Sequence, residues 1–477
     1  MSKKYIFWDL ETSGLSPAFD SILQCGAILT DDSFNVLDTF NLRGRMKEEY
    51  PVPSVAALLV NKVSVEQLKN EKLSNSELIS EIQTKFQSWG EATYFSYNGL
   101  KFDELFLRQG LYQTVFNPYL TNTNGNKRGD VMKILHTAAA VAPNSFATPI
   151  SDKTGKVTFR LELFAKANNI EHALAHDALS DCYATLAVCK LISERCNDVW
   201  QSSLKTVSKQ DVFEYINQDK VFCASRFFRG KEYTNGLAYI TVNPTYNNQI
   251  YCFDLKTDPE LIFDLDRQEL KKLFKGKNKC FHLIKANEQP ILLDDKYLFQ
   301  SQDYKDLDPE IIRDRMIKIR KNKSFIEKFG NLLIDMAEEK TFTSDQSEKQ
   351  YEDQIYDGFP SSKDNYIMKE FHAAEKEKKY DISKKITDIR IKEFAKRVIY
   401  NTSPEQLPKN VIKEHEKDIA EKLLNNEKCV WKTIPDAMAE IDNLRADEER
   451  DDLELINEYD EYIQELWEKY KNLQENK

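Results

Sequence analysis

The sequence predicts an α/β domain followed by a small β-rich module and a charged helical region, and three patterns carry that expectation. Over residues 1–195, short apolar runs alternate with stretches whose apolar residues recur at helical spacing. From 196 to 345 the chain shifts to brief strand-like runs broken by Asn, Pro and Gly, ending in one or two helices. From 346 to 477 nearly every segment is charged and helical in pattern.

In order along the chain, Tyr5-Ile6-Phe7-Trp8 is an apolar strand ending on Asp9. Residues 22–29 and 35–42 read as the next two strands. Leu78, Ile82, Phe86 and Trp89 share one face of a helix. A strand over 93–97, a helix over 102–109, and helices over 130–141, 160–168 and 178–195 complete a β-then-βα order. The β-rich module offers strands over 237–242, 250–255, 280–284 and 290–293, then helical pattern over 310–340. In the last stretch Ile456, Tyr459, Ile463, Leu466, Tyr470 and Leu473 form one apolar stripe on a long helix. The stripe covers fewer than three heptads, so packing on a neighbouring helix is expected rather than a coiled coil.

The 477 residues are 41% hydrophobic and 11% aromatic, enough for packed cores rather than a disordered chain. A net charge of −11 argues against a protein that coats DNA. It leaves room for a nucleic-acid enzyme, since a groove can be locally basic on an acidic body. Eight cysteines occur without a Cys-x-x-Cys pair, mostly among apolar residues, and are expected to be reduced rather than bridged or zinc-bound. The N-terminal residues run straight into a strand pattern with no signal-peptide core, and no apolar stretch reaches the roughly 18 residues that span a bilayer. A soluble, cytoplasmic protein is therefore expected, with no membrane partner.

Chemistry concentrates at three places. In Asp9-Leu10-Glu11-Thr12, residues i and i+2 of a strand point to the same face. Two carboxylates held side by side repel unless a cation joins them, and a hard cation with oxygen ligands suits them. In Tyr97-Asn98-Gly99-Leu100-Lys101-Phe102-Asp103, a strand ends in a Gly turn and Asp103 opens a helix. In His176-Asp177-Ala178-Leu179-Ser180-Asp181, His176 precedes a helix and Asp181 lies about one turn inside it. An imidazole there can serve as general base. Singly, these are a loop, a helix cap and a surface histidine. Together, in order and at element ends of one α/β unit, Asp9, Glu11, Asp103 and Asp181 supply metal ligands and His176 a base for phosphodiester hydrolysis.

These residues resemble the three exonuclease motifs of the DnaQ-like (DEDDh) superfamily, and the four residues between His176 and Asp181 mark its His subgroup. Phe159-Arg160-Leu161-Glu162, the run from Lys166 through His172, Ser16-Pro17-Ala18-Phe19-Asp20 and Asn117-Pro118-Tyr119 further resemble the exodeoxyribonuclease I family. Phe342-Thr343-Ser344-Asp345 and Tyr356-Asp357-Gly358-Phe359 are thinner anchors in the later segments. The resemblance implies an RNase H-like exonuclease domain (1–195), an SH3-like β domain with appended helices (196–345) and a C-terminal helical domain (346–477). It implies processive 3′→5′ digestion of single-stranded DNA to 5′-mononucleotides, in DNA repair or recombination, by a monomer. Two Mg²⁺ ions, replaceable by Mn²⁺, would be held by Asp9, Glu11, Asp103 and Asp181, with His176 deprotonating water. Glu11, Thr12, Asn98 and Phe102 would meet the terminal nucleotide, and Arg160 a substrate phosphate. Arg108, Lys133 and Tyr119 sit where the family contacts DNA. The acidic tail of a single-stranded-DNA-binding protein is a candidate partner. The basic stretch 313–323 could bind that tail, line the DNA groove, or be a solvated helix face.

Two departures matter. Thr12-Ser13-Gly14-Leu15 is nearer the broad superfamily than the exodeoxyribonuclease I form. Thr121-Asn122-Thr123-Asn124 lies where family members carry tryptophans, so base stacking there is weakened or moved to other rings. The motifs are shared with exoribonucleases and RNA-trimming enzymes, which stay open as an alternative, although the extra domains favour DNA. A catalytically silent repair scaffold is opposed by the intact five-residue set.

Overall fold

The computed structural model describes residues 3–47, 51–172, 176–217, 220–228, 230–342, 349–447, 450 and 452–475. The run Thr343-Ser344-Asp345, and with it the expected boundary at 345, lies outside them.

Strand β1 (Lys4–Thr12) is the centre of the first sheet. It pairs antiparallel with β2 (Ile22–Asp31), which pairs antiparallel with β3 (Val36–Arg43). On its other side it runs parallel to β4 (Thr93–Ser96), and β4 runs parallel to β5 (Lys127–Asp130). Its side chains alternate between two cores. Ile6, Trp8 and Leu10 pack with the helix Asn75–Trp89, whose start is fixed by a reciprocal Ser74/Glu77 cap. Tyr5 and Phe7 pack with the helices Val131–Val141 and Ala178–Arg195. Asp9 and Glu11 continue this second face and so point toward the start of Ala178–Arg195.

That core does not end at Arg195. Trp200, on the helix Asn197–Ser203, packs edge-on against Tyr5 and at a tilt against Phe34 and Phe95. Strand β5 was not expected, because Lys127-Arg128-Gly129-Asp130 carries no apolar side chain. Its place follows from Gly129: a Cβ there would lie 2.2 Å from the Phe95 ring. The short helices Val55–Val60 and Val65–Asn70 were also not anticipated.

The second sheet is antiparallel throughout, in the order β10-β6-β7-β8-β9. Its strands are β6 (Phe222–Phe228), β7 (Lys231–Val242), β8 (Gln249–Asp254), β9 (Phe281–Lys285) and β10 (Leu293–Asp294). Sequence pattern missed β6 and the first half of β7, which pair antiparallel from Phe222 opposite Leu237 to Phe228 opposite Lys231. Two helices follow, Pro309–Lys321 and Lys323–Phe342. The module docks on Val131–Val141, where Thr137 Oγ1 donates to the Ser225 carbonyl at 2.8 Å.

The C-terminal region is helical among its described residues. Ile456, Tyr459, Ile463 and Tyr470 of the helix Leu453–Glu475 are buried, while Leu473 is 41% exposed. The stripe packs on helices Lys409–Leu423 and Ile434–Arg445, and also on the first domain's 55–70 excursion. There the Tyr459 hydroxyl donates to the Val63 carbonyl, and Lys69 pairs with Glu465 at 2.8 Å. Glu440 accepts from the Val55 and Ala56 amides at 3.1 and 3.2 Å, an acidic group at a helix N-terminus. All eight cysteines are unpaired and none but Cys429 has appreciable exposure. No helix among the described residues is long and apolar enough to cross a membrane.

Candidate active site

Four carboxylates meet at the C-terminal end of β1. Glu11 and Asp103 are buried, and Asp9 and Asp181 half-buried. Asp103 arrives because Asn98, at φ 62, turns the chain after β4 and a short 3₁₀ turn leads into the helix Asp103–Gln113. Its Oδ1 accepts from the Leu10 amide at 3.1 Å, which ties the start of that helix to β1. Gly99 is required here: a Cβ would lie 2.5 Å from Asp103 Oδ2. Asp181 arrives on the first turn of Ala178–Arg195, which Asp177 caps by accepting from the Ser180 amide at 3.1 Å. His176, at φ 67, stands just before that cap and its backbone N–H donates to the Asp181 carboxylate. Among the described residues, ligand atoms of Glu11, His176 and Asp181 lie within 4.8 Å of one another.

The electrostatics mark this cluster as short of positive charge. Burial, then Asp103, Glu11 and Asp181, hold the Asp9 carboxyl well above the ordinary range. Burial, then Asp181 and Asp103, push Glu11 up to about 8, with Arg43 opposing. Burial pushes Asp103 up to about 7, and burial raises Asp181 despite the nearby His172 and His176. Carboxylates so raised carry neighbouring negative charge without enough compensation. Hard oxygen donors with that deficit fit divalent cations such as Mg²⁺.

Three supporting residues were not legible as site residues. His172 Nε2 lies 2.5 Å from Asp181 Oδ1 and orients that carboxylate. Gln24 Nε2 and Arg43 Nη2 hold the cap Asp177 at 2.9 and 3.4 Å. Only the spatial pairing of β2 and β3 with the helix start reveals Gln24 and Arg43, and only the contact with Asp181, nine residues on, reveals His172.

The expected DNA contacts divide. Thr12 adjoins Glu11, but its hydroxyl donates to the Gly14 carbonyl at 2.8 Å. Asn98 is exposed beside Asp103, and half-buried Phe102 packs on Phe106 with centroids 4.8 Å apart. Exposed Arg160 sits at the start of the helix Leu161–Ala167. Arg108 is pinned by Glu104 at 2.8 Å and lies 5.1 Å from the Tyr119 ring. The Lys133 ammonium donates to the Glu288 carbonyl of the β module. Lys133 also lines, with Lys101, Arg226, Lys279 and Lys285, a basic cleft of about 500 Å³ between the first domain and that module. The basic stretch 313–323 is largely spent within the protein. Arg315 donates to the Leu255 and Lys256 carbonyls, Lys318 pairs with Glu260 and Asp314, and Arg320 covers the Tyr239 ring.

Comparison with known families gives three matches in order. They are "Exonuclease" over residues 6–189, "Exonuclease I SH3-like domain" over 208–333 and "Exonuclease I C-terminal domain" over 349–466. Exodeoxyribonuclease I of Haemophilus influenzae is 26% identical over 381 residues, covering 76% of this chain and 79% of the relative. Among solved structures, E. coli exonuclease I with a dA16 oligonucleotide superposes with a TM-score of 0.81 at 23% identity, covering 97% of this chain and 99% of the other. An exonuclease I structure titled with SSB and the inhibitor CFAM gives 0.79 at 22% identity, covering 98% and 100%. At that identity the superpositions speak to fold, and they agree with an RNase H-like exonuclease domain, an SH3-like domain and a C-terminal helical domain.

Proposed function

This chain belongs to the exonuclease I family and is a nuclease, and from that premise we propose that it digests single-stranded DNA from the 3′ end to 5′-mononucleotides. The observation that carries the reading is the convergence of Asp9, Glu11, Asp103 and Asp181 with His176 at one end of β1.

Two bound Mg²⁺ ions, for which Mn²⁺ can substitute, would neutralise charge on the attacking and leaving oxygens. Asp9, Glu11, Asp103 and Asp181 are the residues to hold them. The His176 imidazole takes the proton from the attacking water, with its backbone fixed by the Asp181 carboxylate. Phe102 and Asn98 shape the pocket of the terminal nucleotide, with Glu11 and Thr12 at its inner edge. Arg160, Lys133 and Tyr119 contact the strand, with Arg108 backing the Tyr119 ring. The basic cleft that includes Lys133 supports a path between the first domain and the β module, because its charge is local on an acidic body. A groove closed over the exonuclease domain by the β and helical domains would admit one strand and favour processive digestion, in keeping with a role in DNA repair in the cytoplasm. A single-stranded-DNA-binding protein is the proposed partner, supported by the solved SSB/exonuclease I assembly.

End-labelled single-stranded DNA and RNA of matched sequence, each with Mg²⁺ and with chelator, test this reading. Chelator-sensitive shortening of the DNA in single-nucleotide steps from its 3′ end is expected. Preferential digestion of RNA would replace the substrate assignment, and no digestion of either would remove the enzymatic one.

A further inference from the structure

We propose that Tyr119, Tyr356 and Phe359 form a two-domain aromatic platform on which a base of single-stranded DNA stacks close to the active site. This rests on the reading of the chain as a single-stranded-DNA exonuclease and adds to its Tyr119 contact two rings from the C-terminal region.

The first-domain half begins beside the catalytic cluster. Glu104 follows Asp103 and is buried, holding Arg128 at 2.9 Å and Arg108 at 2.8 Å. Arg108 lies five residues beyond Asp103, about 7.5 Å further along the helix axis. Its Nη2 donates to Asn122 at 3.2 Å, and its guanidinium sits 5.1 Å from the Tyr119 ring. Arg108 thus acts as a pedestal that fixes the height and tilt of Tyr119.

The other half comes from the C-terminal region. The Tyr356 side chain interacts electrostatically with Arg108, and the Phe359 ring stands 5.8 Å from Tyr119 at an interplanar angle of 51°. Phe359 is 79% exposed and Tyr356 60% exposed. A phenyl ring so exposed gains nothing from the folded core. Yet its loop is built rather than slack. Arg390 donates to the Gln354 carbonyl at 2.7 Å and the Gly358 carbonyl at 3.3 Å, while Asp388 holds the same guanidinium at 2.6 and 3.0 Å. Lys349 pairs with Asp357 at 2.9 Å, and Asn365 donates to the Pro360 carbonyl at 3.0 Å.

An exposed phenyl ring tilted against a half-buried phenol, itself backed by a cation on the helix that Asp103 opens, suits a nucleobase. Stacking is tolerant of sequence because every base offers a π-face. The placement also answers a gap in the sequence. Thr121-Asn122-Thr123-Asn124 offers no ring, and the C-terminal loop brings two to the Arg108–Asn122 pair.

The test uses the full chain in chelator, with oligothymidylates carrying one 2-aminopurine at successive positions from the 3′ end. Quenching at one or two adjacent positions is expected in the wild type. Phe359→Ala should abolish that quench and weaken binding roughly tenfold, within the usual range for one stacked base. Phe359→Trp should keep both, and Phe359→Leu should behave like the alanine variant. An unchanged quench profile and affinity in Phe359→Ala, or a wild-type profile in Phe359→Leu, would overturn the platform. Mg²⁺-dependent shortening of the same oligonucleotides by the wild type is read in parallel. Its absence rejects the exonuclease reading, whereas shortening with an unaltered Phe359→Ala profile rejects the platform alone.

Discussion

Gly26 lies opposite Asp9 across the β1–β2 ladder, and a Cβ on it would come within 2.4 Å of the Ala178 carbonyl carbon. The start of the helix Ala178–Arg195 therefore rests directly on strand backbone, and that contact sets how near Asp181 comes to Asp9. Gly26→Ala forces the helix start off the sheet. Overpacking of this kind costs about 1–3 kcal/mol. The activity loss should be larger than the stability loss suggests, on the order of 10²-fold, because a shift of about 1 Å misplaces His176 and Asp181 together. Thermal melting and initial rates on single-stranded DNA check both parts. Gly330→Ala is the contrast: it sits within the helix Lys323–Phe342 with only Pro244 at 4.0 Å, so up to about 1 kcal/mol of stabilisation is expected.

Asp103→Asn should retain the hydrogen bond from Leu10 while removing the charge. The expected outcome is loss of cation-dependent cleavage with DNA binding largely kept, measured as turnover against affinity. Normal turnover by that variant would sink the ligand assignment. His176→Ala should lower the rate by about 10²–10⁴-fold. A negligible change would remove the base.

The first domain was legible because its apolar runs are periodic and its chemistry sits at element ends. Asp9 and Glu11 are two apart on a strand, and that spacing alone places them on one face. The order of Asp103 and of His176 with Asp181 did the rest. Gln24 and Arg43 escaped because each acts through a partner distant in the chain, and His172, only nine residues before Asp181, because nothing in its spacing marks it as that carboxylate's partner. Strand β5 escaped because it is held by a glycine against Phe95 rather than by apolar side chains of its own. Lys133 was visible as a basic residue, whereas its bond to Glu288 depends on how the β module docks.

Divalent cation should stabilise the protein more at pH 8 than at pH 6. Glu11 is pushed to about 8 and Asp103 to about 7, chiefly by burial. Unfolded carboxyls titrate near 4. Between those values the folded metal-free chain binds more protons than the unfolded one, so its stability falls as pH rises toward 8. A bound cation offsets that loss, and it has fewer protons to displace at the higher pH. Melting temperatures with Mg²⁺ and with chelator at both pH values give the comparison. A gain independent of pH would argue that these carboxyls do not receive the metal.

His372 should make the docking of the C-terminal region acid-sensitive. Its ring stacks on Phe116 with centroids 3.6 Å apart, and Nε2 lies 3.3 Å from the Val115 carbonyl, so it wedges the helix Ser362–Ala373 against the end of Asp103–Gln113. Burial, then Lys379, depress it to about 4. A histidine held neutral in the fold contributes stability that is present above the unfolded value of about 6.5. That contribution is lost as pH falls toward 4, because the unfolded chain takes up the proton first. The loss is about 1–3 kcal/mol for a shift of this size. His136, also depressed to about 4 by burial, adds a second such term. His372→Phe keeps the ring contact and removes the proton site. Denaturant unfolding from pH 7 to 4 should show a shallower decline for His372→Phe than for the wild type. Parallel declines would mean that the wedge does not titrate in this window.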